Sequence, residues 1–344
     1  METYVAAALR AAVEDWLQAT AQPERQSCVA ANPAALGLEL GLTVKERLER
    51  EGHAPTAMRD YMLVAPFCHL KDIFGADDLV DTPANFFPVP NTASTVVGRA
   101  AALAVHAALH LETVSYGSEN HGNLFVNLVV MSGPGALAEK STKSMRGHTD
   151  AVSFPFNGED DPEDERIAPS PDLVTLVGLR NPMGVATRVM PLTDIFPCLQ
   201  PGDVDELKKL QYSIRSQKTF VEGTKRILGK EHVVFDQPVL KDVAEGTWIR
   251  YSHTSVVSSS GGGKAEKASE KLEGACNKAA IPIVVQPGDI LIINNRLSLH
   301  GRDGVAEKAG GQSRWLLRTY GLDTSKLPEH KRRGNAFPRH VLFP

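Results

Sequence analysis

Two short stretches constrain this chain more than any others: Gly147-His148-Thr149-Asp150 and, far downstream, Leu299-His300-Gly301-Arg302. On an extended strand alternate side chains share a face, so His148 and Asp150 would point together while Thr149 turns away. The run Ala151-Val152-Ser153-Phe154-Pro155-Phe156 continues a β-favouring pattern, and Asp289-Ile290-Leu291-Ile292-Ile293-Asn294 predicts an apolar strand approaching His300. A fold that uses both stretches must bring separate strands to one point. Two imidazoles and one carboxylate, with the remaining positions open, suit a non-haem Fe(II) that binds an organic co-substrate and O2. A zinc hydrolase could use the same three ligand types.

A His and an Asp two residues apart are common, and most histidines only satisfy a local hydrogen bond. The stretch after His300 adds weight. In Ser313-Arg314-Trp315-Leu316-Leu317-Arg318-Thr319-Tyr320, period two puts Arg314, Leu316, Arg318 and Tyr320 on one face and Trp315 and Leu317 on the other. At roughly 3.3 Å per residue the two arginine Cα atoms lie about 13 Å apart, which suits two carboxylates rather than one. Guanidinium groups bind carboxylates bidentately and stay charged, so inward-facing arginines call for anionic partners. Structural salt bridges to Asp or Glu are the alternative.

These residues resemble the Fe(II)/2-oxoglutarate-dependent oxygenases, in the branch similar to clavaminate synthase and the free-amino-acid hydroxylases acting on Asn, Arg and Lys. The resemblance covers most of residues 85–325. It implies that His148, Asp150 and His300 bind the iron. It also implies that Arg314, fourteen residues past His300, holds the remote carboxylate of 2-oxoglutarate, and that Arg318, four further on, takes the substrate's α-carboxylate. By the same resemblance Thr187 touches 2-oxoglutarate and Glu119, in Ser118-Glu119-Asn120, takes the substrate's α-amino group, facing Arg318 across a zwitterion. Asp236 is the candidate lid carboxylate for a cationic side chain, with a solvent-exposed Asp as the plainer reading. Halogenating relatives lose the carboxylate ligand, and this chain keeps Asp150, so hydroxylation is expected.

The implied fold is a double-stranded β-helix, a cupin-like jelly-roll flanked by helices; pattern alone supports only mixed α/β with a mainly β core. Residues 1–85 are expected to be a helical elaboration, and 86–344 the oxygenase core with a lid insertion at about 203–274. The implied reaction hydroxylates C3 or C4 of a free L-amino acid, with L-lysine favoured and L-arginine or another amino acid as the alternative. It consumes 2-oxoglutarate and O2 and releases succinate and CO2. A zinc hydrolase and a non-catalytic small-acid binder are the rival readings.

Composition narrows the partners. A chain of 344 residues, 42% apolar, suits one sizeable domain with elaborations, or at most two domains. A formal net charge of -4 offers no general attraction for nucleic acid or an anionic membrane, so a small molecule is the expected partner; a homo-oligomer is compatible. Cys28, Cys68, Cys198 and Cys276 form no C-x-x-C pair, and there is neither a basic leader with an apolar core nor a membrane-length apolar run. A cytoplasmic location is expected.

Elsewhere the patterns read as structure. Residues 3–20 form an amphipathic helix expected to pack on the sheet, and residues 33–50 end in a charged run read as a solvated helix face. Residues 94–111 are alanine-rich and helical, with His106 and His110 one turn apart, a spacing that can bind metal but here has no nearby carboxylate or cysteine. The run 123–130 reads as a strand, and 173–180 with 185–190 as a hairpin. The acidic 158–165 is a loop without EF-hand spacing. Residues 203–218 are expected to be helical, and Val257-Ser258-Ser259-Ser260-Gly261-Gly262-Gly263-Lys264 flexible and not a Walker loop. Lys331-Arg332-Arg333 is expected on a solvated surface.

Overall fold

The structure, a computed structural model, describes residues 1–259 and 263–344; Ser260, Gly261 and Gly262 of the expected flexible run lie outside the described residues. Two sheets form the centre. In the larger, Phe67–Leu70, Ile290–Asn294, Leu173–Arg180, Trp315–Leu322, Glu112–Tyr116 and Val341–Leu342 follow one another, and Val126–Val129 also pairs with Trp315–Leu322. The smaller runs Ile281–Ile283, Thr187–Pro191, Ser298–Arg302 and Met145–His148. The architecture is mixed α/β around this two-sheet core.

Strand alternation explains the layers. From Trp315–Leu322, Trp315 and Leu317 join one core while Leu316 and Tyr320 join another. Ile290 and Ile292 likewise face the first, Leu291 and Ile293 the second. The first core lies beneath the helices Glu2–Ala19, Pro33–Arg50 and Ala93–Ala108, and the second also takes Val189 and Ile283 from the smaller sheet. The smaller sheet's other face, through Met190 and Leu299, meets a third core built by residues from the expected lid region. Apolar side chains on both faces make these strands read as near-continuous hydrophobic runs.

The helix predicted over 3–20 is Glu2–Ala19, with Val5, Leu9, Val13 and Trp16 buried. Its stripe packs mainly on Pro33–Arg50 and Ala93–Ala108 and reaches the sheet at Phe67–Leu70, rather than lying on the sheet as expected. The alanine-rich helix fills that space because small side chains admit close neighbours on both sides. A Cβ on Gly41 would stand 2.8 Å from the Ala108 nitrogen, so glycine is what lets helix Pro33–Arg50 touch it.

Several expectations are corrected. Leu173–Arg180 and Thr187–Pro191 are not a hairpin but belong to different sheets. The crossing is held by Asn181, whose Nδ2 donates to Val185 (3.1 Å) and Val285 (3.2 Å) carbonyls. The helix expected over 203–218 stops at Leu207, with Leu210 exposed; the Tyr212–Arg215 strand and the helix Lys218–Leu228 follow. Burial of Tyr212 and Ile214 on one strand face outweighs the helical spacing. Lys331 and Arg332 are buried: Lys331 donates to the Ile167 carbonyl at 3.1 Å, and Arg332 clamps Glu112 with both terminal nitrogens at 3.1 and 2.7 Å. His106 and His110 do not share a face, because the helix ends at Ala108 and His110 has φ 60. His106 is bonded instead to the Thr113 and Thr175 hydroxyls at 2.9 and 2.8 Å. Among the described residues no single helix is long and apolar enough to cross a membrane, and the four cysteines are free.

Two predictions follow from this packing. Gly41→Val should lower unfolding free energy by about 1–3 kcal/mol through overpacking, read as a fall in the urea midpoint at unchanged slope; an unchanged midpoint would contradict the close helix contact. Burial depresses the His106 imidazole to about 3, below its unfolded value of about 6.5. Its contribution is present above pH ~6.5 and is lost as pH falls toward 3. The stability gap between wild type and His106→Gln should therefore shrink by about 1.4 kcal/mol per pH unit between roughly pH 6 and 4.

Candidate active site

The site forms where the strands Met145–His148 and Ser298–Arg302 pair, with His300 directly across from His148. Their rings lie 4.4 Å apart, and the nearest carboxylate oxygens of Asp150 stand 3.5 Å from His148 Nε2 and 3.8 Å from His300 Nε2. One ligand atom from each of the three lies within 4.8 Å of the others, and all three residues are buried. The route to this arrangement differs from the expected strand. The strand ends at His148, Ala151 takes φ 54, and residues 151–156 turn instead of continuing extended. Asp150 is fixed by its backbone N–H donating to Asn295 Oδ1 at 2.8 Å, while Asn295 Nδ2 donates to the Asp150 carbonyl at 3.0 Å.

The donor set fits a divalent metal. His148 Nδ1 lies 2.9 Å from the Arg146 carbonyl, which assigns the proton to Nδ1 and leaves the Nε2 lone pair free. Burial, then the charges of Arg318 and Lys140, push the His300 imidazole down to about 3 against the pull of Asp150, so it stays neutral. Burial alone would push Asp150 up. The Arg318 charge, with its Nη1 3.7 Å from Oδ2, and the two imidazoles beside the carboxyl outweigh burial and hold it well below the usual carboxylate range. Asp150 Oδ2 is buried without a hydrogen-bond partner among the described residues, which a coordinated cation would satisfy.

Arg314, Arg318 and Thr187 line the same cavity as the triad. Thr187 opens the strand Thr187–Pro191, across from Arg302. Arg314 is 3% exposed, and its guanidinium has no ion-pair partner among the described residues; Nε is buried and unbonded. Burial, and the Arg302 charge against that of Glu307, push it down to about 9, still cationic at neutral pH. Arg318 differs. Its Nη2 donates to Glu119 Oε2 at 2.6 Å, its Nη1 stands 3.7 Å from Asp150 Oδ2, and it lies over the Tyr320 ring. Tyr320 Oη donates to the same Glu119 oxygen at 3.0 Å. Burial works against the Arg318 charge, but Glu119, Tyr320 and Asp150 more than offset it and raise the pKa. Arg318 and Glu119 thus pair directly, and among the described residues Glu119 Oε1 is left without a partner.

Asp236 is not brought to the site: it is exposed, at φ 51 on Val233–Gln237, and does not line the cavity. Residues missed in the sequence include Gln217, whose Nε2 donates to the Thr149 carbonyl at 3.0 Å, and Lys140 on the helix Ala136–Thr142; both line the cavity. Neither carries a motif, and only the fold places them there.

A family model described as taurine catabolism dioxygenase TauD, TfdA family, matches residues 87–320. The L-lysine 3-hydroxylase of Catenulispora acidiphila is 23% identical over 221 residues, 64% of this chain but only 57% of that protein's length. An asparagine oxygenase solved with Fe(II), 2S,3S-3-hydroxyasparagine and succinate superposes with a TM-score of 0.76 at 19% identity, over 99% of this chain and 97% of that one. The non-haem iron oxygenase OrfP, solved with Fe, succinate and (3S)-hydroxy-L-Arg, gives 0.72 at 18% identity over 98% and 97%. With its model spanning most of the residues that build both sheets and the buried His148, Asp150 and His300, the chain belongs to the TauD/TfdA dioxygenase family.

Proposed function

We propose that this chain is an Fe(II)- and 2-oxoglutarate-dependent hydroxylase of a free L-amino acid, acting at C3 or C4 on a double-stranded β-helix. The observation that carries it is the pairing of two different arginines with the triad in one cavity: Arg314 without an anion, and Arg318 already holding a carboxylate. Bound iron would supply the oxidising chemistry, in which 2-oxoglutarate and O2 yield succinate and CO2 and one oxygen atom enters the substrate as hydroxyl.

The side chains set the geometry. His148, Asp150 and His300 hold the metal. Arg314 takes the remote carboxylate of 2-oxoglutarate, with the Thr187 hydroxyl on the same wall. Arg318 takes the α-carboxylate, and the unpartnered Glu119 oxygen accepts from the α-ammonium. The Arg318–Glu119 pair holds both groups in register before substrate arrives, so little reorganisation is needed on binding. L-Lysine, with L-arginine as the alternative, draws support from the names of the similar proteins; Asp236, the expected contact for a cationic side chain, lies outside the cavity. The cytoplasm suits a chain with four free cysteines.

The test is anaerobic protein loaded with Fe(II) and 2-oxoglutarate, mixed with free amino acids and exposed to O2. Succinate with a matching hydroxylated amino acid is expected; activity that needs zinc and makes no succinate would establish the hydrolase instead. Asp150→Ala should abolish turnover and lower bound iron, measured as metal content after desalting. Arg314→Gln should raise the KM for 2-oxoglutarate by about tenfold or more, the weight of one charged hydrogen bond, with iron still bound. An unchanged KM would remove Arg314 from the co-substrate site.

A further inference from the structure

The cavity that holds the triad adjoins a second one, the two sharing Lys140, Met145, His148 and Gln217. The carboxylates around both are committed. Asp150 faces the imidazoles and Glu119 is paired with Arg318. Glu139 pairs with Lys143 at 3.2 Å, and Glu273 with Arg146 and His253, each at 2.9 Å. The cations are not all committed: among the described residues, neither the Lys140 nor the Lys218 ammonium has a hydrogen-bond or ion-pair partner.

Lys140 is held in place from behind. Arg302, two residues past His300, donates to the carbonyls of Ser141 and Lys143, both at 2.7 Å, and of Lys140 at 3.2 Å. This ties the end of helix Ala136–Thr142 to the strand that carries His300. Lys140 lines the same cavity as the triad, Arg314 and Arg318, and Asp150, Glu119 and Arg318 are among the charges that act on its ammonium.

We propose that Lys140 reads the substrate's side chain, and that the amino acid hydroxylated here ends in a carboxylate: an acidic L-amino acid rather than lysine or arginine. The inference rests on the amino-acid hydroxylase reading above. With the α-carboxylate on Arg318 and the α-ammonium on Glu119, the Lys140 ammonium is the cation of the triad's cavity that, like the neutral Gln217 Oε1 beside it, has no partner among the described residues and no carboxylate to balance it. A cationic side chain would meet like charge there and find no free carboxylate, while an anionic one gains a charge-assisted hydrogen bond to a half-buried ammonium. Burial holds the Lys140 amine below its ordinary value, and a bound anion would offset that cost.

The test is calorimetric titration, under anaerobic conditions, of the Fe(II)- and 2-oxoglutarate-loaded protein with L-glutamate, L-aspartate, their amides, L-lysine and L-arginine, for wild type, Lys140→Met and Lys140→Arg. Expected is an acid bound about tenfold or more tightly than its isosteric amide, a preference kept in Lys140→Arg and lost in Lys140→Met. Tighter binding of lysine or arginine by wild type would overturn the inference and leave the hydroxylase reading standing. So would acid preference persisting in Lys140→Met, or a Lys140→Met variant that weakens 2-oxoglutarate instead. If no amino acid binds and none drives succinate formation, both readings fall together.

Discussion

The site depends on one strand register. His300 sits directly across from His148, and this pairing, made between antiparallel strands of the smaller sheet, puts two imidazoles 4.4 Å apart. A slip by one residue would turn His300 to the opposite face and send Leu299 or Gly301 to its place. The register is held by burial on both sides of that sheet: Val189 and Ile283 pack toward the larger sheet, Met190 and Leu299 toward the core that includes Tyr212, Ile249 and Leu272. The irregularity between His300 and Arg302 then turns Arg302 onto the carbonyls of helix Ala136–Thr142. Positioning of the ligands and closure of the cavity wall are therefore one packing problem.

The strand Trp315–Leu322 joins this site to the rest of the molecule. Trp315 and Leu317 anchor it in the core under the helices, and Trp315 Nε1 donates to Asn127 Oδ1 at 2.9 Å. Its other face carries Leu316, Arg318 and Tyr320 toward the cavity side, directly after Arg314. Arg318 can stay charged in that setting because Glu119, Tyr320 and Asp150 surround it. Arg314 has no such company, and its desolvated charge favours an anionic ligand. The contrast between a satisfied arginine on this strand and an unsatisfied one just before it divides the cavity into two ends.

Much of this was legible in the sequence where a single period ran unbroken. The alternation of Arg314, Leu316, Arg318 and Tyr320 against Trp315 and Leu317 is reproduced because the strand is long and central. The proximity of His148 and Asp150 also emerged, although the strand ends at His148 and the chain then turns at Ala151, whose positive φ leaves no periodic trace. Lys331 and Arg332 are buried where charge alone predicts a surface, because their partners, Asp160, Ile167 and Glu112, are distant in sequence. The end of the helix at Leu207 and the placement of Gln217 and Lys140 were illegible for the same reason: tertiary contacts, not local pattern, decide them. Asp236 shows the converse, an acidic residue in a promising stretch whose backbone turns it to solvent.

The most direct measurement is anomalous diffraction at the iron edge from crystals grown without O2 in the presence of Fe(II) and 2-oxoglutarate. The account predicts one iron bonded to Nε2 of His148, Nε2 of His300 and a carboxylate oxygen of Asp150, with the remote carboxylate of 2-oxoglutarate on Arg314. Iron bound elsewhere, or 2-oxoglutarate absent from Arg314 while iron occupies the triad, would contradict it.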